Sequence, residues 1–296
     1  MAAFIDTVSR LLRQSPLNRI IAVNILAMVA LRLGVMVAYF IVGDHARDMV
    51  THVVSVPSGV AELAMRPWTL LTYMFAQYGL LHLLFNMLWL WWFARIFLEI
   101  TPSRHLLPLY VYGGLAGAVL FIAVFNVMPA FGGGTCMWLM GSSASVLAIV
   151  VATAILLPDY PVGLLFLGSV RLKWVAVVTV AIVLLNNPDG DAGGMAAHIG
   201  GILMGVNYAL LRRRGVDITR PWVACADYCR SARRRISRPR PARHAPPPKR
   251  PESPASGDER LRADLDAILD KIKQSGYAGL TDEEKKKLFD VSSRVK

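Results

Sequence analysis

Three apolar stretches of this chain carry side chains suited to acyl transfer, and each would be costly in a helix that only faced lipid. MAAHIGGILMG (195–205) holds His198 among Ala, Gly, Ile, Leu and Met. GSSASVLAIVVA (141–152) opens with Ser142, Ser143 and Ser145. LLHLLFNMLWLWWF (80–93) stacks His82 and Asn86, four residues apart, on one helical face. A serine hydroxyl becomes a useful nucleophile when a neighbouring imidazole takes its proton. The oxyanion that then forms needs N–H donors aimed at it. Ser143 and His198 would supply nucleophile and base. His82, Asn86 and the Ser143 backbone N–H, unpaired at a helix start, would supply the donors. The nearest acids, Asp189 and Asp191, fall in a solvated loop, so a Ser–His dyad is expected in place of a triad.

The elements that must bring these groups together are membrane helices. Of 296 residues, 55% are hydrophobic, and the mean hydropathy is +0.46 in spite of a polar tail. Six apolar runs read as spans, roughly 20–42, 80–98, 106–127, 141–157, 172–185 and 195–211. The net charge of +12 is unevenly placed. Arg10, Arg13, Arg19, Arg104, Arg171, Lys173 and the Arg-rich tail fall on one side. Arg47 and Arg66 fall on the other, and 128–140 and 186–194 contain neither Lys nor Arg. The positive-inside bias places both termini in the cytoplasm. The even-numbered spans then enter from outside, and His82, Asn86, Ser143 and His198 share one depth, within a turn or two of the outer end.

Small residues explain how they could meet. Gly193, Ala197, Gly201 and Gly205 form a ridge on the sixth span, and Ala144, Ala148 and Ala152 form one on the fourth. Such ridges let membrane helices approach closely. Packing of the two would set His198, beside Ala197, against Ser143, beside Ala144.

The expected architecture is all-α: a polytopic six-transmembrane-helix bundle (1–211), a basic, Pro-rich disordered cytoplasmic linker (212–257) and a small cytoplasmic helical hairpin (258–296). In the hairpin, Leu261, Leu265, Ile268 and Ile272 recur at helical spacing, Gly276 ends the first helix, and Thr281 with Glu284 forms a capping box for the second. The basic excess serves topology and contact with anionic lipid headgroups at the Arg-rich segment, not nucleic acid. Cys136 lies across the membrane from Cys225 and Cys229, and no metal-ligand spacing occurs. Neither a metal nor an organic cofactor is expected. Glu99 reads as an ion-pair partner of Arg95 and Arg104, Ser142 and Ser145 as helix-start or packing residues, and 186–194 as a connector or a cap. Arg32, midway along the first span, has no role in this reading.

The membrane domain resembles the rhomboid family of intramembrane serine proteases. The second-span His-x3-Asn pattern is matched by His82 and Asn86. The Gly-x-Ser-Gly pattern is matched by Gly141, Ser142 and Ser143, with Ala144 in place of the final glycine. The sixth-span Gly-x3-Ala-His pattern is matched by Gly193, Ala197 and His198, followed by Gly201 and Gly205. The first outer loop reads Trp68-Thr69 where family members often have Trp-Arg. The resemblance implies a serine endopeptidase that cuts single-pass or multi-pass membrane proteins near the outer ends of their membrane segments, with Ser143 as nucleophile, His198 as base, and His82, Asn86 and Ser143 around the oxyanion. The cytoplasmic tail implies a bacterial inner membrane. The alternative is an inactive relative that binds membrane helices for quality control, supported by Ala144 and the missing loop arginine. A solute transporter would need internal repeats and a midplane site, and the sequence has neither.

Overall fold

The computed structural model describes residues 15–128, 137–164, 168–185, 192–236, 266–286 and 288. Its helices are α1 (Pro16–Val42), α2 (Ala46–Val54), α3 (Val60–Met65), α4 (Thr69–Thr72), α5 (Leu80–Ile100), α6 (Leu106–Val127), α7 (Ser143–Leu156), α8 (Leu172–Leu185), α9 (Ala192–Arg213) and α10 (Arg220–Ile236). Four stretches are long and apolar enough to cross a bilayer: Pro16–Val54, which holds α1 and α2, then α5, Ser103–Val127 ending in α6, and α9. The apolar helices α7 and α8 have 14 residues each. Large apolar side chains are exposed along the long helices, among them Leu26, Phe40, Leu81, Leu84, Val119 and Leu203. That surface suits lipid and not water, and the protein is a multi-pass integral membrane protein.

The core is built around α7. Ala144 to Ala154 are buried without a break, ringed by α5, α6, α8 and α9. Three glycine positions show why. A Cβ on Gly201 would come within 2.2 Å of the Ala144 carbonyl oxygen, and one on Gly205 within 2.6 Å of the Ala148 carbonyl oxygen. On α6, a Cβ on Gly117 would lie 2.7 Å from the Ala144 Cβ and 2.9 Å from the Ala197 carbonyl oxygen. Backbone thus touches backbone across α7, α9 and α6, which only residues lacking a side chain permit.

The all-helical expectation misses two short ribbons. β1 (Val56–Pro57) pairs antiparallel with β2 (Trp138–Leu139), and β3 (Pro161–Leu164) pairs antiparallel with β4 (Gly168–Arg171). The first joins the loop after α2 to the segment that leads into Gly141. Strands of two to four residues carry too little alternation to be read in advance.

The chain falls into two compact units, Met1–Ser231 and Ala232–Lys296. The first runs past Leu211. Gly215, at φ 78°, follows the end of α9. Asp217 then accepts hydrogen bonds from the Thr219 N–H (2.9 Å) and hydroxyl (2.7 Å). α10 follows, so residues 220–236 are helical where a disordered segment was expected. Trp222 packs edge-on against Tyr112 of α6, ring centres 6.4 Å apart. Residues 237–257 and Cys136 lie outside the described residues.

In the second unit, helical residues 266–275 and 282–286 bury Ile268 and Leu280. The capping box is present: the Thr281 N–H donates to Glu284 Oε2 (2.8 Å), and the Glu284 N–H donates to Thr281 Oγ1 (3.4 Å). Lys271 Nζ donates to the same carboxylate at 2.8 Å. The Lys271 hydrogen bond, together with the Thr281 N–H, lowers the Glu284 pKa from an ordinary 4.5 to about 2. A depressed folded-state pKa contributes stability above the unfolded value, and that stability is lost as pH falls through the folded one. Amide-exchange protection of 266–286 in the full chain, corrected for intrinsic rates, is therefore expected to be constant above pH 5. It should decline between about pH 4.5 and pH 2, and Glu284→Gln should flatten that decline.

Candidate functional site

Ser143 is the first residue of α7, and Gly141, two residues before it, has a φ of 128° that only glycine adopts without strain. The Gly141 N–H donates to the Tyr73 carbonyl (3.0 Å), which fixes the approach to the helix. His198 lies on the second turn of α9. Its Nε2 stands 2.8 Å from Ser143 Oγ, the distance at which a hydroxyl donates to a neutral imidazole. The two residues are 55 positions apart in the chain. The Gly201–Ala144 contact brings their helices close enough to bridge that separation.

Both side chains open into a hollow of about 200 Å³, also lined by His82, Tyr73, Trp138, Gly141 and Gly193. A Cβ built on Gly141 would sit 4.0 Å from His82 Nε2 and 4.0 Å from Ser143 Oγ. Gly141 therefore keeps open the space between the imidazole of α5 and the hydroxyl. A tetrahedral carbon bound to Ser143 Oγ would place its oxygen there, within reach of the Ser143 backbone N–H, which has no partner inside α7.

Asn86 does not line this hollow. It is buried, and its amide nitrogen donates to Gln77 Oε1 (3.3 Å), while Gln77 Nε2 donates to Ser142 Oγ (3.3 Å). Asn86, Gln77 and Ser142 thus form a chain beneath the site. Sequence reasoning passed over Gln77, whose signal is its place five residues before His82 in the turn that leads into α5. Ser142 is fully buried, as is Ser145, whose hydroxyl has no hydrogen-bond partner among the described residues.

The loop over the site is better anchored than Thr69 suggests. Arg66 donates to the His52 carbonyl (3.1 Å) and lies over the Trp138 ring, which itself stacks on His52 at 4.1 Å. Trp68 Nε1 donates to the Val53 carbonyl (2.9 Å). Buried Thr69 donates back to the Arg66 carbonyl (2.7 Å). Glu99, expected to pair with Arg95 and Arg104, instead accepts from the Tyr160 hydroxyl (3.1 Å), and Arg95 lies over Trp91. Among the described residues no group of three or more His, Cys, Asp or Glu could hold a metal ion.

A family model described as "Rhomboid domain" matches residues 64–215, just over half of the chain. The chain belongs to the rhomboid family. The rhomboid match contains every residue of the hollow, the Gln77 chain beneath it and the ridges of α7 and α9; α1 precedes it. Over 140 residues the chain is 25% identical to presenilin-associated rhomboid-like protein A, mitochondrial, of Danio rerio. That match covers 45% of this chain and 34% of the relative, so the chain spans about a third of that relative's length. A second model, described as a family of unknown function (DUF6576), matches residues 259–294 of the tail.

Proposed function

We propose that this rhomboid-family protein is an intramembrane serine endopeptidase working through a Ser143–His198 dyad. The observation that carries the reading is the 2.8 Å approach of Ser143 Oγ to His198 Nε2 at the wall of a hollow reached by Ser143 N–H and His82. His198 takes the Ser143 proton as Oγ attacks the carbonyl of a substrate peptide bond. The oxyanion forms between the Ser143 N–H and the His82 ring. The imidazolium then protonates the leaving amine, and water hydrolyses the acyl-enzyme with His198 again as base. Asn86 does not line the hollow; one of its two amide N–H groups holds Gln77, and through it Ser142, next to the nucleophile.

In this reading the bundle has six spans, with α7 and α8 crossing in spite of their length. A 14-residue helix covers about 21 Å of a hydrocarbon core of about 30 Å. The shortfall above Ser143 is the place for a water-filled hollow below the membrane surface. Both termini are cytoplasmic, the membrane is a bacterial inner membrane, and the Arg-rich segment after α9 contacts anionic lipid. Residues 1–211 hold the catalytic bundle, α10 packs onto it through Trp222, the Pro-rich sequence after α10 is the linker, and 258–296 form the tail hairpin. A membrane helix hides its peptide bonds behind internal hydrogen bonds. Substrates are therefore single-pass or multi-pass proteins with helix-breaking and small residues near the outer ends of their spans.

The test is cleavage of a generic type I membrane substrate by purified protein in bilayers. Two effects separate the donors. His82→Ala should lower kcat by about 10²–10³-fold with little change in KM, the usual cost of a lost oxyanion donor. Gly141→Ala should lower it further, because its Cβ enters the oxyanion space and its φ of 128° is strained for alanine. Full activity in both variants would remove the oxyanion assignment.

A further inference from the structure

Away from the dyad, α1, the start of α2 and the turn before α5 enclose an open groove of about 540 Å³, lined by Val35, Met36, Tyr39 and Phe40 together with Arg32, Arg47 and Tyr78. Its wall is apolar and exposed, Phe40 at 84%, so in a bilayer lipid must fill it. Both cations converge on one residue. Arg32 donates to the Tyr78 carbonyl at 2.5 Å, the Arg47 guanidinium lies 4.9 Å above the Tyr78 ring, and the Tyr78 hydroxyl is 3.2 Å from Thr51 Oγ1.

Neither guanidinium forms an ion pair with a carboxylate among the described residues. Each has five N–H donors in a planar fork that suits a phosphate, and Arg32 uses one donation on the carbonyl. Depth points the same way. The 27 residues of α1 span about 40 Å, about 10 Å more than the hydrocarbon core. With that excess shared between its ends, the Arg32 backbone lies about 10 Å below the boundary on the Val42 side, and its guanidinium is held at the Tyr78 carbonyl in the turn before α5, as a snorkelling arginine holds its charge near the boundary.

We infer that Arg32 and Arg47, arranged about Tyr78, bind the phosphate of a membrane phospholipid whose acyl chain lies in the groove along Val35, Met36, Tyr39 and Phe40. The site stands apart from the dyad. Tyr78 follows Gln77, so a headgroup held here would steady the turn that supports Asn86 and Ser142.

The test is native mass spectrometry of the full chain released from micelles doped with phosphatidylglycerol, with diacylglycerol, or with inorganic phosphate alone. One phosphatidylglycerol should stay bound to the wild type through collisional activation, while diacylglycerol should not. Arg32→Gln and Arg47→Gln should each reduce the bound fraction about tenfold, and Arg32→Lys by less, because a point charge replaces the fork. Thermal unfolding confirms that each variant is folded, and Arg47→Gln, on the exposed face of α2, keeps the test decisive if Arg32→Gln is not. Equal retention of lipid by wild type and folded arginine variants would overturn the site. So would equal retention of diacylglycerol, phosphate bound by these arginines without lipid, or displacement of the lipid by a synthetic transmembrane peptide in both wild type and arginine variants.

Discussion

Ser143→Ala and His198→Ala are each expected to abolish cleavage of a type I membrane substrate, by on the order of 10⁴-fold or more, while Ser142→Ala leaves measurable turnover. The asymmetry follows from position. Ser143 Oγ faces His198 Nε2 at 2.8 Å, whereas Ser142 is fully buried and accepts a hydrogen bond from Gln77. In the proposed mechanism, losing Ser143 removes the atom that would form the acyl bond. Losing His198 leaves a hydroxyl with no base. Because two such residues act as one unit, the double variant should be no less active than either single one. Loss of cleavage in Ser142→Ala with retention in Ser143→Ala would reassign the nucleophile. A wild type that binds substrate helices but never cuts them would favour the inactive rhomboid alternative.

The second large effect is expected at a residue that touches no substrate. Gly201→Val should reduce activity about 10²-fold or more and destabilise the bundle by about 1–3 kcal/mol. A Cβ at Gly201 would lie 2.2 Å from the Ala144 carbonyl oxygen, a backbone atom that no rotamer change can move. α9 must then shift away from α7 by an ångström or so. That shift opens the Ser143–His198 distance, and misplacement on this scale is costly for positioned groups. The control is Ile202→Val on the same turn, which only shortens a side chain and should leave cleavage near wild type. Unfolding temperature and cleavage measured together separate a shifted bundle from an unfolded one.

Much of this was legible in residue types. A lone His198 in apolar sequence, serines opening another apolar run and small residues at four-residue spacing pointed to one depth and one helix pair. The structure joins Gly201 to Ala144 and Gly205 to Ala148. What escaped was contributed by segments whose meaning depends on folding. Gly117 of α6 packs on both Ala144 and Ala197, and Gly113, four residues earlier, on Ala144 and Ala148, so the pair is really a three-helix contact; the spacing of these glycines does not say which helices they face. Asn86 had the right spacing from His82 to face the same way, but its spacing did not reveal that one of its amide N–H groups donates to Gln77. Arg66 replaces the anchoring expected of a loop arginine because β1 and β2 bring Trp138 beneath it. Arg32 gained a role only once the turn at Tyr78 was placed beside it.

The central claim is that Ser143 is a nucleophile activated by His198 within the membrane. Its most direct test is peptide-level mass spectrometry after treating the folded protein with a fluorophosphonate. The account predicts one adduct, on Ser143, formed by the wild type and lost in folded His198→Ala. An adduct on Ser142 or Ser145, or no adduct on a protein that cleaves its substrate, would contradict it.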